Sequence, residues 1–199
     1  HDREHDVQQH QIGLELAKQL HALAAVLGDT GFKSLFFQIQ VEQLGNIPVY
    51  DIMNVAQDPN DSKHYFVTTF GTGMLEMQGE KVVKHYTPNN SNLIAAAPDN
   101  PALYTRTDGI MYDDKGNLWI LNSQAKNANL FVIEKGTNTI TSKYTNKLSD
   151  NTGITHHVLR GCILDSRGLL WFVNDDYREP AIFCYDTNKN ITIKYNTFV

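Results

Sequence analysis

The chain contains few residues whose types and spacing could do chemistry. Gly71-x-Gly73 lacks the third glycine and the following helical pattern of a dinucleotide-binding loop. Asp113–Asn117 begins like a calcium loop, but Ala125 occupies the position at which an EF-hand loop has Glu. No Ser, His and Asp are spaced as a catalytic triad, and no pair of carboxylates stands out. We therefore expect no catalytic residue, no metal ligand and no cofactor.

The histidines are also poorly arranged for binding a metal. His156 and His157 are adjacent, so on a strand their side chains would point to opposite faces. On a helix, residues three or four apart share a face. Of the N-terminal histidines only His1 and His5 meet that spacing, and they lie at a chain end, where helices fray.

Three aspartates recur at matching positions: Asp58, Asp113 and Asp165. A residue that recurs once in every repeat is better explained by a structural role than by a functional one. Asp side chains accept hydrogen bonds from backbone N–H groups two residues further on, which stabilises turns. We expect these carboxylates to cap turns.

The elements that carry the aspartates form a repeat. The segment 109–119 returns as 161–171, with Gly, Asp, Gly, Leu and Trp in register. A period of roughly 50 residues indicates a repeat architecture such as a propeller. Within each segment an apolar run, an Asp-x-x-Gly turn and a second apolar run predict a β-hairpin. The markers of this repeat are Gly109, Asp113, Gly116, Trp119, Gly161, Asp165, Gly168 and Trp171.

Three copies of the repeat cover most of the chain, at about 50–86, 108–146 and 158–195. Each copy predicts four short antiparallel strands and ends on a tyrosine. The first copy is divergent: its turn is expected over Pro59–Lys63, and it lacks the tryptophan. Four short antiparallel strands per copy are typical of a β-propeller blade. The predicted fold is therefore all-β. Trp119 and Trp171 are expected between blades, in preference to a sugar-stacking role for them or for Tyr65 and Phe66.

The N-terminal part differs from the rest. Val7–Leu27 has apolar residues at spacings of three and four, which predicts an amphipathic helix. We divide the chain into an N-terminal helical segment, 1–34, and a partial β-propeller, 35–199. Because propellers usually have four to eight blades, three blades cannot close a ring. We expect the remaining blades to come from the same longer chain.

Composition narrows the function further. The chain has a net charge of −5 and no basic stripe, so we expect no nucleic-acid partner. It has no apolar run of about 18 residues and no visible signal peptide, and we expect no membrane span in this piece.

Cys162 and Cys184 are predicted on the first and third strands of their repeat. Strands that far apart cannot be bridged by a disulfide, so we expect two free, largely buried thiols. The longest loop, 87–104, is the predicted partner surface.

The segment 109–119 resembles the two-component-regulator propeller repeat, which is abundant in periplasmic sensor regions of hybrid two-component proteins of Bacteroidetes. The match at 161–171 has Leu169 where that family usually has Asn. The segments 58–61, 66–73 and 89–91 resemble the propeller of PorZ-like surface proteins of the type IX secretion system. This resemblance implies a location at the cell surface or in the periplasm. It also implies a role in delivering an anionic lipopolysaccharide to a sortase-like partner.

Three functional hypotheses follow. The first is a non-catalytic binding or scaffold propeller at the bacterial surface or in the periplasm, with a protein, glycan or lipopolysaccharide partner. The second is the carbohydrate-sensing portion of a hybrid two-component regulator. The third is a propeller lyase or lactonase, which would need His and acidic residues around one channel mouth, often with a metal ion. The sequence favours the first.

Overall fold

The computed structural model of the chain describes residue 49 and residues 51–126, 128–144, 158–178 and 180–195. The helix predicted at Val7–Leu27 lies outside these residues. So do His1, His5, His10, His156 and His157.

The described residues form three four-stranded antiparallel sheets, in each of which consecutive strands are neighbours. Blade 1 contains β1 (Ile52–Asp58), β2 (Asp61–Thr69), β3 (Met74–Gln78) and β4 (Lys81–Tyr86). Blade 2 contains β5 (Thr107–Tyr112), β6 (Leu118–Asn122), β7 (Leu130–Ile133) and β8 (Ile140–Tyr144). Blade 3 contains β9 (Leu159–Leu164), β10 (Leu169–Asn174), β11 (Ala181–Asp186) and β12 (Ile191–Tyr195). The predicted all-β architecture of propeller blades is confirmed.

The turn of blade 1 is shorter than predicted. Asp58 pairs directly with Asp61, so only Pro59 and Asn60 form the turn. The prediction of a turn over Pro59–Lys63 was wrong at its C-terminal end. Ser62 and Lys63 are polar because β2 begins with an exposed stretch, and their backbone already belongs to the strand.

The first strand of each blade lies near those of its neighbours, since β1 contacts β5 and β5 contacts β9. Between blades 1 and 2 an apolar core contains Phe66, Met74, Tyr86, Leu118 and Phe131. A second core between blades 2 and 3 contains Trp119, Leu121, Leu170, Phe172 and Phe183. Burial of large aromatic and aliphatic side chains between neighbouring sheets is therefore the main stabilising contribution here.

The face of blade 3 that points away from blade 2 is open among the described residues. Its apolar side chains are partly exposed, with fractions of 67% for Ile163, 48% for Ile193 and 45% for Tyr195. Trp171 stacks on Tyr195 of the same blade, with 6.1 Å between the ring centroids. Trp171 is thus half-buried, whereas Trp119 lies in the core between two blades.

The connection between blades 1 and 2 includes a short helix, α1 (Pro101–Tyr104). Leu93 of this connection is buried in the core between the two blades. The Asn122 side chain accepts a hydrogen bond from the Ile94 N–H and donates one to the Ile94 carbonyl. The loop is therefore anchored to blade 2 in its middle. No helix within the described ranges is long and apolar enough to cross a lipid bilayer.

Candidate functional site

The repeat markers of blade 2 build a turn around one carboxylate. Oδ1 of Asp113 accepts hydrogen bonds from the backbone N–H groups of Lys115 (3.0 Å) and Asn117 (2.8 Å). Oδ2 accepts from the Asn117 side chain (2.9 Å) and from the Trp119 indole (2.9 Å). Gly116, with φ of 83°, provides the left-handed residue that closes the turn. These residues order a hairpin and fix the indole.

Blade 3 repeats the arrangement. Oδ1 of Asp165 accepts from the backbone N–H groups of Arg167 (2.9 Å) and Leu169 (3.1 Å), and Oδ2 accepts from the Trp171 indole (3.0 Å). Gly168 has φ of 78°. The Arg167 guanidinium also contacts Oδ2, and hydrogen bonds to Arg167 and Trp171 hold the pKa of Asp165 well below its usual range. The geometry again serves local structure.

Blade 1 places a histidine where the other blades have tryptophan. His64 follows Asp58 by six residues, and its Nδ1 lies 3.1 Å from Oδ2 of Asp58. The second ring nitrogen, Nε2, lies 2.9 Å from Oε1 of Glu76. The Tyr86 hydroxyl donates to Oε2 of Glu76 at 2.8 Å. One polar side chain from each of the four strands of blade 1 thus belongs to a single hydrogen-bonded series, Asp58–His64–Glu76–Tyr86, which we call the polar chain.

The polar chain favours the protonated, positively charged form of His64. Burial alone would lower the pKa of His64, but the hydrogen bonds to Glu76 and Asp58 outweigh it, and the pKa is raised. Burial would raise the pKa of Asp58, but hydrogen bonds from the Asn60 backbone and from His64 outweigh it, and this pKa is lowered. Burial and the bond to Glu76 raise the pKa of Tyr86. An imidazolium between two carboxylates is the resulting state at mildly acidic pH.

The polar chain lines a cavity of about 400 Å³ between blades 1 and 2, which we call the first groove. The wall from blade 1 contains Asp58, Asn60, His64, Phe66, Glu76 and Tyr86. The wall from blade 2 contains Tyr112, Gly116, Leu118 and the β7–β8 turn, 134–138. Burial, with the nearby Asp58 and Glu76 charges, raises the pKa of Tyr112, so its hydroxyl stays protonated. The groove combines carboxylates, a tyrosine hydroxyl and aromatic surface.

The corresponding second groove, between blades 2 and 3, is smaller and is lined by both aromatic and polar side chains. Its volume is about 280 Å³, and its wall includes Trp119, Val132 and Tyr185. Trp119 packs edge-on against Tyr185, with 5.3 Å between ring centroids. The repeat pattern therefore fills this position with aromatic packing, whereas blade 1 fills it with polar groups.

A second polar centre joins the first strands of all three blades. Asp108 is 1% exposed. Its carboxylate accepts from the Asn54 amide (3.4 Å), the Gly161 N–H (2.9 Å) and the Arg160 guanidinium (3.1 Å). Burial raises the pKa of Asp108, although the bonds from Gly161 and Arg160 oppose the shift. Asp108 thus ties the blades together near the contacts of β1, β5 and β9.

Gly109 allows this close approach. A Cβ on Gly109 would collide with the Gly161 carbonyl and would lie 2.6 Å from the Cβ of Cys162. Cys162 is half-buried, Cys184 is buried, and both thiols are free. The prediction of free thiols is confirmed, and that of extensive burial holds for Cys184.

Sequence reasoning did not identify His64, Glu76 or Asp108. A signal for His64 was available, because it stands six residues after Asp58, as each Trp follows its Asp. Glu76 and Tyr86 depend on strand pairing that no motif marks. Within the described ranges, no three His, Cys, Asp or Glu side chains are grouped so that they could hold a metal ion.

Comparison with known proteins agrees with the fold. No protein-family model and no curated protein matches the chain. Among solved structures, the chain is similar to PorZ, an essential bacterial surface component of the type-IX secretion system of Porphyromonas gingivalis. The identity is 20% and the TM-score 0.60, over 73% of this chain and 20% of PorZ.

It is also similar to the extracellular domain of a proposed one-component system of B. thetaiotaomicron. Here the identity is 14% and the TM-score 0.50, over 75% of this chain and 18% of the other. The chain thus spans about a fifth of the length of either structure. At these identities the likeness establishes a shared arrangement of propeller blades.

Proposed function

We propose that this chain is part of a non-catalytic β-propeller that binds a partner at the bacterial surface or in the periplasm, as an accessory protein of PorZ type. The partner surface includes the first groove. Further blades of the same longer protein cover the open face of blade 3. Similarity to a surface component and to an extracellular domain supports the exported location.

The first groove is the observation that carries the proposal. Here blade 1 departs from the Asp–Trp pattern that stabilises the other two blades, and the departure places hydrogen-bonded polar side chains in the wall of the larger cavity. A hydrogen-bonded polar chain costs more to bury than an indole, so its presence favours a binding role over a structural one.

The lining indicates the class of ligand. The carboxylates of Asp58 and Glu76 accept hydrogen bonds, and the Tyr112 hydroxyl, which has no hydrogen-bond partner among the described residues, can donate one. The ring of Phe66 adds apolar surface. A site with a small number of polar groups beside aromatic surface suits a ligand that is rich in hydroxyl groups. A glycan, free or on a lipopolysaccharide, is the partner that fits this lining.

Glycan binding by the full-length protein tests the proposal. We expect one or more purified bacterial-surface polysaccharides to bind wild type in calorimetric titrations, and Tyr112→Phe to weaken binding about fivefold or more through loss of one hydrogen bond. Tyr177→Phe, which removes the same hydroxyl from an exposed position of blade 3, is the matched control and should bind as wild type does. Equal affinity of all three proteins, or no binding by wild type, would overturn the assignment of the groove.

The alternative is the sensor portion of a hybrid two-component regulator for a carbohydrate, which the likeness to an extracellular domain of a regulatory system favours. The full-length gene separates the two. A transmembrane span followed by a histidine kinase means a receptor, whereas their absence favours the secretion-accessory role. Turnover above buffer in a lyase or lactonase assay, with Mg²⁺ or Ca²⁺ supplied, would overturn the non-catalytic assignment.

A further inference from the structure

Arg106 lies at the end of the blades opposite the β1–β2 turn. It directly precedes β5, while Phe70 directly follows β2. The Arg106 guanidinium carbon lies 4.9 Å from the ring centroid of Phe70 and 5.3 Å from that of Tyr104. Two aromatic rings therefore hold this guanidinium in place through cation–π contacts.

No hydrogen-bond acceptor satisfies this side chain within the described part of the chain. The Nε atom of Arg106 is buried and has no hydrogen-bond partner, and no described carboxylate lies within ion-pair distance of the guanidinium. An unsatisfied buried donor costs free energy, and more so when it is charged. The rings compensate for the charge in part, but they accept none of its N–H groups in the plane of the guanidinium.

Arg160 provides the contrast beside it. Its guanidinium carbon lies 4.2 Å from the same Phe70 ring, yet its Nη1 donates to the Asp108 carboxylate at 3.1 Å and its Nε lies 3.9 Å from an oxygen of Asp175. Two guanidinium groups therefore share one aromatic ring, and only one of them has anionic partners. Arg106 is therefore the guanidinium beside Phe70 that lacks an anionic partner among the described residues.

We propose that Arg106, with Phe70 and Tyr104 as its supports, is a binding site for an oxyanion group of a ligand, either a carboxylate or a phosphate. A planar guanidinium donates two parallel hydrogen bonds to such a group, and aromatic stacking fixes its orientation before the ligand arrives. The terminal Nη groups of Arg106 supply these donors, because the buried Nε is out of a ligand's reach.

The site is distinct from the first groove. The groove is lined by residues around the β1–β2, β5–β6 and β7–β8 turns, whereas Phe70 and Arg106 are at the other ends of β2 and β5. Anion binding at Arg106 therefore does not depend on the function proposed for the groove. Each can be lost without the other.

Thermal unfolding of the full-length protein tests the proposal, with sodium phosphate and sodium glucuronate as the two probes. Sodium chloride at matched ionic strength corrects for general salt effects. Ligand that binds only the folded state raises the unfolding temperature. We expect phosphate, glucuronate or both to stabilise wild type, and Arg106→Gln to weaken that binding about tenfold or more because it removes a charged hydrogen-bond donor.

Two further variants sharpen the result. Lys81→Gln removes the same charge from an exposed position at the start of β4 and should respond to the probes as wild type does. Arg106→Lys keeps the charge but lacks the planar pair of donors, and should recover only part of the response. Stabilisation by phosphate alone identifies a phosphate ligand, and stabilisation by glucuronate alone a carboxylate ligand.

The proposal fails if wild type and Arg106→Gln respond equally to both probes. A crystal of the full-length protein soaked in the stabilising anion gives an independent readout. Electron density for the anion against the terminal Nη groups of Arg106 supports the site, and density only elsewhere overturns it.

Discussion

The Nδ1 atom of His64 lies 3.1 Å from Oδ2 of Asp58, in the same relation of six residues in which the Trp119 indole meets Asp113 at 2.9 Å. One ring nitrogen of His64 thus makes the structural contact of the repeat. Its other ring nitrogen is free to reach Glu76, which an indole cannot do because it has a single N–H. One substitution in the repeat therefore keeps the turn and opens a polar chain.

The raised pKa of His64 predicts that the stability of blade 1 depends on pH. Because its pKa in the folded protein is above the ordinary value of 6.5, the stabilisation is fully present below pH 6.5 and is lost as the pH rises through the folded-state pKa. The effect should be about 1 kcal/mol or less, since the side chain is 20% exposed.

Urea unfolding from pH 5 to 9 measures this dependence. His64→Gln keeps a hydrogen-bonding side chain without the charge, so the difference in unfolding free energy between wild type and variant isolates the histidine. That difference should shrink as the pH rises. A difference that stays constant or grows across this range would contradict the ion-pair account of His64.

Removal of the Asp113 carboxylate should destabilise the protein more than removal of the Asp165 carboxylate. Asp113 is buried and accepts four hydrogen bonds, so Asp113→Ala leaves the indole N–H of Trp119 unsatisfied inside a core. We expect a loss of about 2–4 kcal/mol for Asp113→Ala and a smaller loss for Asp165→Ala, whose turn is reached by water. Denaturant unfolding monitored by circular dichroism gives both values, and a reversed order would show that exposure does not control the cost.

The fold was predictable because it rests on local, repeated chemistry. The Asp-x-x-Gly turns at 113–116 and 165–168 specify hairpins wherever they occur, and alternating apolar residues specify the strands around them. The end of the turn in blade 1 was missed for a local reason. Polar residues such as Ser62 are found in turns and equally on the exposed end of a long strand.

The candidate sites could not be predicted in the same way, because they depend on which residues strand pairing brings together. Glu76 lies on β3 and reaches His64 on β2 only through the register of that pair. Arg106 meets Phe70 because successive blades bring the start of β5 near the end of β2. The sequence shows the types of these residues, but its repeat pattern marks only the positions that stay the same from copy to copy. The residues of the candidate sites are not among those positions.

Replacement of Gly109 by alanine should be strongly destabilising. The added methyl group would collide with the backbone carbonyl of Gly161, and backbone of the adjacent blade can move only if the contact between β5 and β9 opens. We expect a cost of about 3 kcal/mol or more.

Gly161→Ala is the matched control for this pair. Nothing lies within 4 Å of a Cβ at Gly161, but its φ of 63° is left-handed, so alanine there costs about 1–2 kcal/mol of backbone strain. Unfolding free energies of the two variants separate contact from conformation. Equal costs would show that the close approach of the two strands does not limit the packing of the blades.

The two tryptophans report on whether further blades follow blade 3. Trp119 is 3% exposed in a core between blades, so Trp119→Phe should cost about 1–3 kcal/mol through lost volume and the lost bond to Asp113.

Trp171 makes the same bond to Asp165, but it lies on the open face of blade 3 among the described residues. If another blade covers this face in the full-length protein, Trp171→Phe should cost as much as Trp119→Phe. We expect equal costs in denaturant unfolding of the full-length protein, since the exposed side chains Ile163, Ile193 and Tyr195 form the kind of surface that a neighbouring blade buries. A cost for Trp171→Phe below about half that of Trp119→Phe would mean that no blade packs there.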